Sequence, residues 1–152
     1  MQAEAPQTPA GEPTAPRPTR YARSYRLQGC AVLELHGEID LAALPEAEPH
    51  VDALTAPPRP RVVIDLRAAE FFDCSGLRLL CRAYRRVDER SGTLRVVCDR
   101  KIILRVLRAS DLLQLFRPVG TLEEALEDVR ESHGESTGEG LGEHLGEHLG
   151  ED

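Results

Sequence analysis

The 152-residue chain has no tryptophan and only three phenylalanines and three tyrosines. A platform that stacks bases on exposed rings is disfavoured, and any core must be built from Leu, Val, Ile and Ala, which suits helices layered on a sheet. No apolar run approaches the ~18 residues needed to cross a bilayer, and the first residues, Met1-Gln2-Ala3-Glu4-Ala5-Pro6, have neither a basic start nor an apolar stretch. A cytoplasmic protein without membrane insertion is expected. The four cysteines, Cys30, Cys74, Cys81 and Cys98, form no CxxC pair. That disfavours a zinc site or a disulfide framework and points to small core residues in a reducing compartment. Neither a P-loop nor a GxGxxG string is present, so nucleotide binding has no motif behind it.

A basic excess is missing too. The net charge is −7, and the surplus sits at one end: seven of the 26 acidic residues lie from Glu131 onward with no Lys or Arg among them, leaving 19 acidic against 19 basic residues in the rest. A neutral body carries no electrostatic footprint for direct nucleic-acid binding.

What is present is enough for one domain, with 41% hydrophobic residues. Residues 1–20 hold Pro6, Pro9, Pro13, Pro16 and Pro18 and read as a disordered leader. Residues 132–152 read as a flexible acidic tail, with the repeat Leu141-Gly-Glu-His144, Leu145-Gly-Glu-His148, Leu149-Gly-Glu-Asp152. His144 and His148 with Glu143 and Glu147 would share a face only on a helix, which a glycine in every turn opposes by about 1 kcal/mol each. Neither a metal nor a cofactor is therefore expected.

Residues 21–131 between these tails form the domain. Short β-prone runs at 21–27 and 30–35 flank Gln28-Gly29, a hairpin turn signal. Helical spacing over 41–56 is limited by Pro45 and Pro49, the first acceptable in an opening turn and the second a source of a kink. A buried strand at 61–66 follows the breakers Pro57, Pro58 and Pro60. The clearest amphipathic helix covers 75–90, with Leu77, Leu80, Cys81, Tyr84 and Val87 on one face and Arg78, Arg82, Arg85, Arg86 and Arg90 over much of the rest. A strand at 93–98, a helix at 101–108, a short strand near 117–119 and a last helix capped by Thr121 and Glu124 complete the order β-β-α-β-α-β-α-β-α. The expected fold class is α/β, a mixed sheet of about four to five strands packed against about four helices.

Within this frame Val62-Val63-Ile64-Asp65-Leu66 leads through a polar loop to Phe71-Phe72-Asp73-Cys74-Ser75-Gly76-Leu77, a serine at the opening of a helix. Such a hydroxyl is expected to be accessible, to cap the helix, and to sit beside free backbone N–H groups that favour an added phosphate. Gly76 would let another backbone approach. Asp73 fits loop-fixing through backbone N–H bonds better than orientation of the serine. A catalytic reading, with Cys74 as nucleophile and His36 or His50 as base, lacks any feature that brings a histidine to the thiol. No catalytic residue is assigned.

These residues resemble the STAS domain of bacterial anti-sigma factor antagonists. The resemblance rests on the two runs just quoted, on Gly37-Glu38-Ile39-Asp40-Leu41 upstream, and on Leu104-Arg105-Val106-Leu107, Asp111-Leu112-Leu113, Phe116 and Thr121-Leu122-Glu123-Glu124-Ala125-Leu126 downstream. It implies a non-enzymatic binding protein that, unphosphorylated, binds an anti-sigma factor with a GHKL-type serine kinase fold and frees a sigma factor. It further implies that phosphorylation of Ser75 releases the partner and that a PP2C-type phosphatase resets the switch. Partner contacts are expected from Asp40, Asp73, Cys74, Ser75, Gly76, Arg78 and Arg82, with Arg78 one turn from the serine. Cys74 stands where the family commonly has Ser or Thr, which leaves Ser75 the only hydroxyl of the motif. The same resemblance leaves open a STAS subunit of a lipid-transport complex or a stress-sensing scaffold, without a sigma-pathway kinase.

Overall fold

The computed structural model describes residues 16–135, and their side chains as far as residue 132. Most of the leader and tail read from the sequence lies outside the described residues. Inside them, Arg17 lends its carbonyl to a buried imidazole, and the last helix runs on to Glu135, past the expected boundary at 131.

The chain opens with the hairpin β1 (Ala22–Leu27) and β2 (Cys30–Leu35), antiparallel with Leu27 opposite Cys30. Gln28 and Gly29 both take positive φ, 54° and 81°, the geometry of the two-residue turn that matches strand twist. β4 (Arg61–Asp65) pairs parallel with β2, and β6 (Thr93–Val97) pairs parallel with β4, so the sheet order is β1-β2-β4-β6. The strand expected near 117–119 is reduced to one bridge, Val119 to Val97. Leu113–Phe116, between the expected helix at 101–108 and that strand, winds into the short helix α4 and ends at Arg117 in the left-handed region.

Both faces of the sheet are covered, which explains why β4 and β6 read as nearly continuous apolar runs. Leu33, Leu35, Val62, Ile64, Leu94 and Val96 face one way, under α1 (Leu44–Leu54), α2 (Cys74–Glu89), α3 (Lys101–Ala109) and α4. Cys30, Val32, Val63 and Val97 face the other way, under Ala125, Leu126 and Val129 of α5 (Leu122–Glu135). Half of the expected capping box forms: the Thr121 hydroxyl accepts the Glu124 N–H at 3.2 Å, while the Glu124 carboxylate accepts from the Thr121 hydroxyl at 3.4 Å and not from a backbone donor.

A second, two-stranded sheet was not visible in the sequence. β3 (Gly37–Ile39) pairs parallel with β5 (Ala69–Phe72), bringing the chain before α1 and the chain before α2 side by side. Pro45 sits in the opening turn of α1, as expected, and Pro49 lies inside the helix without ending it.

Candidate functional site

The site grows from the β3/β5 pair. The register ends at Ile39 opposite Phe72, so Asp40 and Asp73 are the next residues of two adjacent parallel strands. Both adopt the same extended backbone, φ −123° and ψ −164° at Asp40, φ −119° and ψ −159° at Asp73. Asp40 Oδ1 accepts the Ala42 N–H at 3.1 Å and starts the turn 41–43 that leads into α1. Asp73 Oδ1 accepts the Ser75 N–H at 2.8 Å and starts α2. Each carboxylate satisfies a backbone donor that the first turn leaves unpaired, and Asp73 places negative charge at the positive end of α2.

This arrangement corrects three expectations. The cap of α2 is Asp73, not Ser75, so the serine lies inside the first turn. Ser75 is 5% exposed, where an accessible hydroxyl was expected. Gly76 is not a clearance for an incoming backbone, because a Cβ there would stand 2.6 Å from the ring of Phe72, which already fills that space. Among the cysteines, read together as small core residues, Cys30 and Cys98 are buried, Cys81 is half-buried, and Cys74 is exposed.

The remaining expected site residues separate. Arg78 is exposed one turn into α2, on the same helix end as Ser75. Arg82 is committed elsewhere: its Nε and Nη2 donate to the two Asp52 oxygens at 2.8 and 3.0 Å, tying α2 to α1. Neither proposed base serves Cys74. His50 is fully buried between the Ser24 hydroxyl, 2.8 Å from Nδ1, and the Arg17 carbonyl, 3.1 Å from Nε2, while His36 Nε2 lies 3.0 Å from Glu34.

Residue reasoning missed the apolar members of this surface. Leu41, directly after Asp40, is 68% exposed, and Phe71, two residues before Asp73, is 43% exposed. Alternation offered a signal for Phe71, since adjacent residues of a strand point to opposite faces and Phe72 is the one packed on Gly76. The site is a surface and not a pocket. The cavity lined by Tyr84, Val87, Leu94 and Phe116, about 50 Å³, opens at the other end of α2. Among the described residues no helix is long and apolar enough to cross a membrane, and no cluster of His, Cys, Asp and Glu could hold a metal.

The chain is similar to known proteins in sequence and in fold. The STAS domain family model matches residues 21–128. The anti-sigma-F factor antagonist RsfB of Mycobacterium tuberculosis is 33% identical over 98 residues, 64% of this chain and 80% of that protein. The crystal structure of an anti-sigma factor antagonist from Mycobacterium paratuberculosis superposes with a TM-score of 0.66 and 31% identity, covering 72% of this chain and 92% of that one. An anti-sigma-factor antagonist domain protein from Planctomyces limnophilus, 24% identical with a TM-score of 0.57 over 72% of this chain and 97% of that one, shares the fold. On these matches the chain belongs to the STAS domain family of anti-sigma factor antagonists.

Proposed function

We propose that this protein is a cytoplasmic partner switch. In its unphosphorylated form it binds an anti-sigma factor with a GHKL-type serine kinase fold and thereby frees a sigma factor; phosphorylation of Ser75 ends the binding, and a PP2C-type phosphatase restores it. The protein acts by binding and not by catalysis. The observation that carries this reading is the position of Ser75 in the first turn of α2, beside the twin caps Asp40 and Asp73 and the exposed Leu41 and Phe71. Two acids at the ends of paired strands, with an exposed Leu41 and Phe71 next to them in the chain, offer an interaction surface at the helix start that holds a modifiable hydroxyl.

The burial of Ser75 constrains how such a switch would work. A phosphate adds roughly −1.5 to −2 charges and three acceptor oxygens. It does not fit a residue 5% exposed unless the side chain swings outward or the first turn shifts. Free N–H groups and the helix dipole favour the charge inside the domain, so the fold survives. At a packed interface the same charge, next to Asp40 and Asp73, is costly through desolvation and repulsion from acidic partner groups. Arg78, exposed on the same end of α2, would pair with the phosphate once it points outward.

Incubation with the cognate kinase and ATP, followed by mass spectrometry, tests this directly. A single modification of Ser75 that disappears in Ser75→Ala supports the reading, and an active kinase that leaves Ser75 unmodified overturns it.

A further inference from the structure

The exposed face of α3 carries charge that the described fold does not use. Lys101, Arg105 and Arg108 follow the i, i+4, i+7 spacing of one helix face and, with half-buried Leu104, line a recess of about 200 Å³. None of the three meets a carboxylate among the described residues, whereas Arg67, Arg82, Arg86 and Arg95 each do. Ile102, 50% exposed, adds an aliphatic group to the same helix. Asp99 and Asp111 lie beyond the two ends of α3 and do not line the recess.

A matching counterpart follows α5 in the same chain. Residues 136–152 contain Glu139, Glu143, Glu147, Glu151 and Asp152, interspersed with Leu141, Leu145 and Leu149, and no Lys or Arg. Seventeen residues can span up to about 56 Å, several times the ~13 Å radius of gyration of a domain this size, so the recess is within reach of Glu135. Tethering holds such a segment at roughly millimolar effective concentration, enough for several weak ion pairs to act together.

We propose that the acidic segment 136–152 docks on the exposed face of α3, its carboxylates on Lys101, Arg105 and Arg108 and its leucines on Leu104 and Ile102. The Arg100 guanidinium donates to the Arg67 carbonyl at 3.0 Å, and α3 packs against β5, so the docked segment flanks the surface around Ser75. There it screens the α3 side of that surface from an acidic partner. This consequence rests on the function proposed above; the docking itself does not.

The test compares amide NMR spectra of the full-length chain with two full-length variants. One carries Glu139→Gln, Glu143→Gln, Glu147→Gln and Glu151→Gln, and the other Lys101→Gln, Arg105→Gln and Arg108→Gln. Neutralising the acids is expected to move the amides of Lys101, Leu104, Arg105 and Arg108, and neutralising α3 to move those of 139–151. Both differences should vanish near 1 M salt, where the Debye length is about 3 Å. Unmoved α3 amides, shifts centred on Arg78 and Arg85 of α2, or shifts that grow with protein concentration as a second copy would cause, each overturn the proposal. No kinase is present in the experiment, so its failure leaves the Ser75 switch untouched.

Discussion

At the scale of single residues the motif Asp73-Cys74-Ser75-Gly76 divides its work by burial. Asp73 holds the turn, Ser75 is packed within it, Gly76 makes room for Phe72, and Cys74 faces solvent. Replacing Asp73 by Ala removes the acceptor for the Ser75 N–H and should lower stability by about 1 kcal/mol, read from the urea midpoint at constant slope. Gly76→Ala should cost more, about 1–3 kcal/mol, since the Phe72 ring has to move away from the new methyl group. The choice of cap was not legible in the sequence because Asp and Ser are almost equal caps and both precede the apolar face of α2. A non-local fact decides it. The register with β3 ends at Phe72, which makes Asp73 the first residue free to take the capping geometry.

Among elements, the hairpin, α2 and the Thr121 cap of α5 were readable because each signal is local: a turn dipeptide, a helical period, a spacing of three. β3 and β5 were not, since strands of three and four residues show no period and their pairing joins segments about thirty residues apart. That pairing sets Asp40 beside Asp73. α1 keeps Pro49 within it, and its packing against α2 is reinforced by Asp52, which receives Arg82 and lies 3.6 Å from Arg86. The Arg82 hydrogen bonds hold the Asp52 carboxyl below its ordinary range. A depressed folded-state value stabilises the native protein above the ordinary value near 3.9 and loses that contribution as pH falls through the folded one. Asp52→Asn should therefore cost about 0.5–1 kcal/mol at pH 7, discounted for partial exposure, and the gap to wild type should close in acid. Denaturant titrations at several pH values measure it.

For the whole molecule, two apolar layers cover one sheet, and the chain before β1 is tied down by the His36 N–H on the Tyr21 carbonyl at 2.9 Å and by a buried histidine that reaches the Arg17 carbonyl. His50 is fully buried, and burial pushes its pKa below the ordinary 6.5. The unfolded chain then binds the proton that the folded chain refuses, so stability is complete above about pH 6.5 and falls as pH drops below it. The wild type should lose stability between pH 7.5 and 5.5 more steeply than His50→Gln, which has no proton to take up. The fold as a whole is that of an anti-sigma factor antagonist, and its central claim is that one serine in a capped first turn controls partner binding. Titration calorimetry of the cognate anti-sigma factor with the unphosphorylated protein and with the protein phosphorylated on Ser75 tests that claim most directly. The account predicts tight binding by the first and a loss of about 100-fold or more, about 2.7 kcal/mol, for the second; equal affinity for the two forms would contradict it.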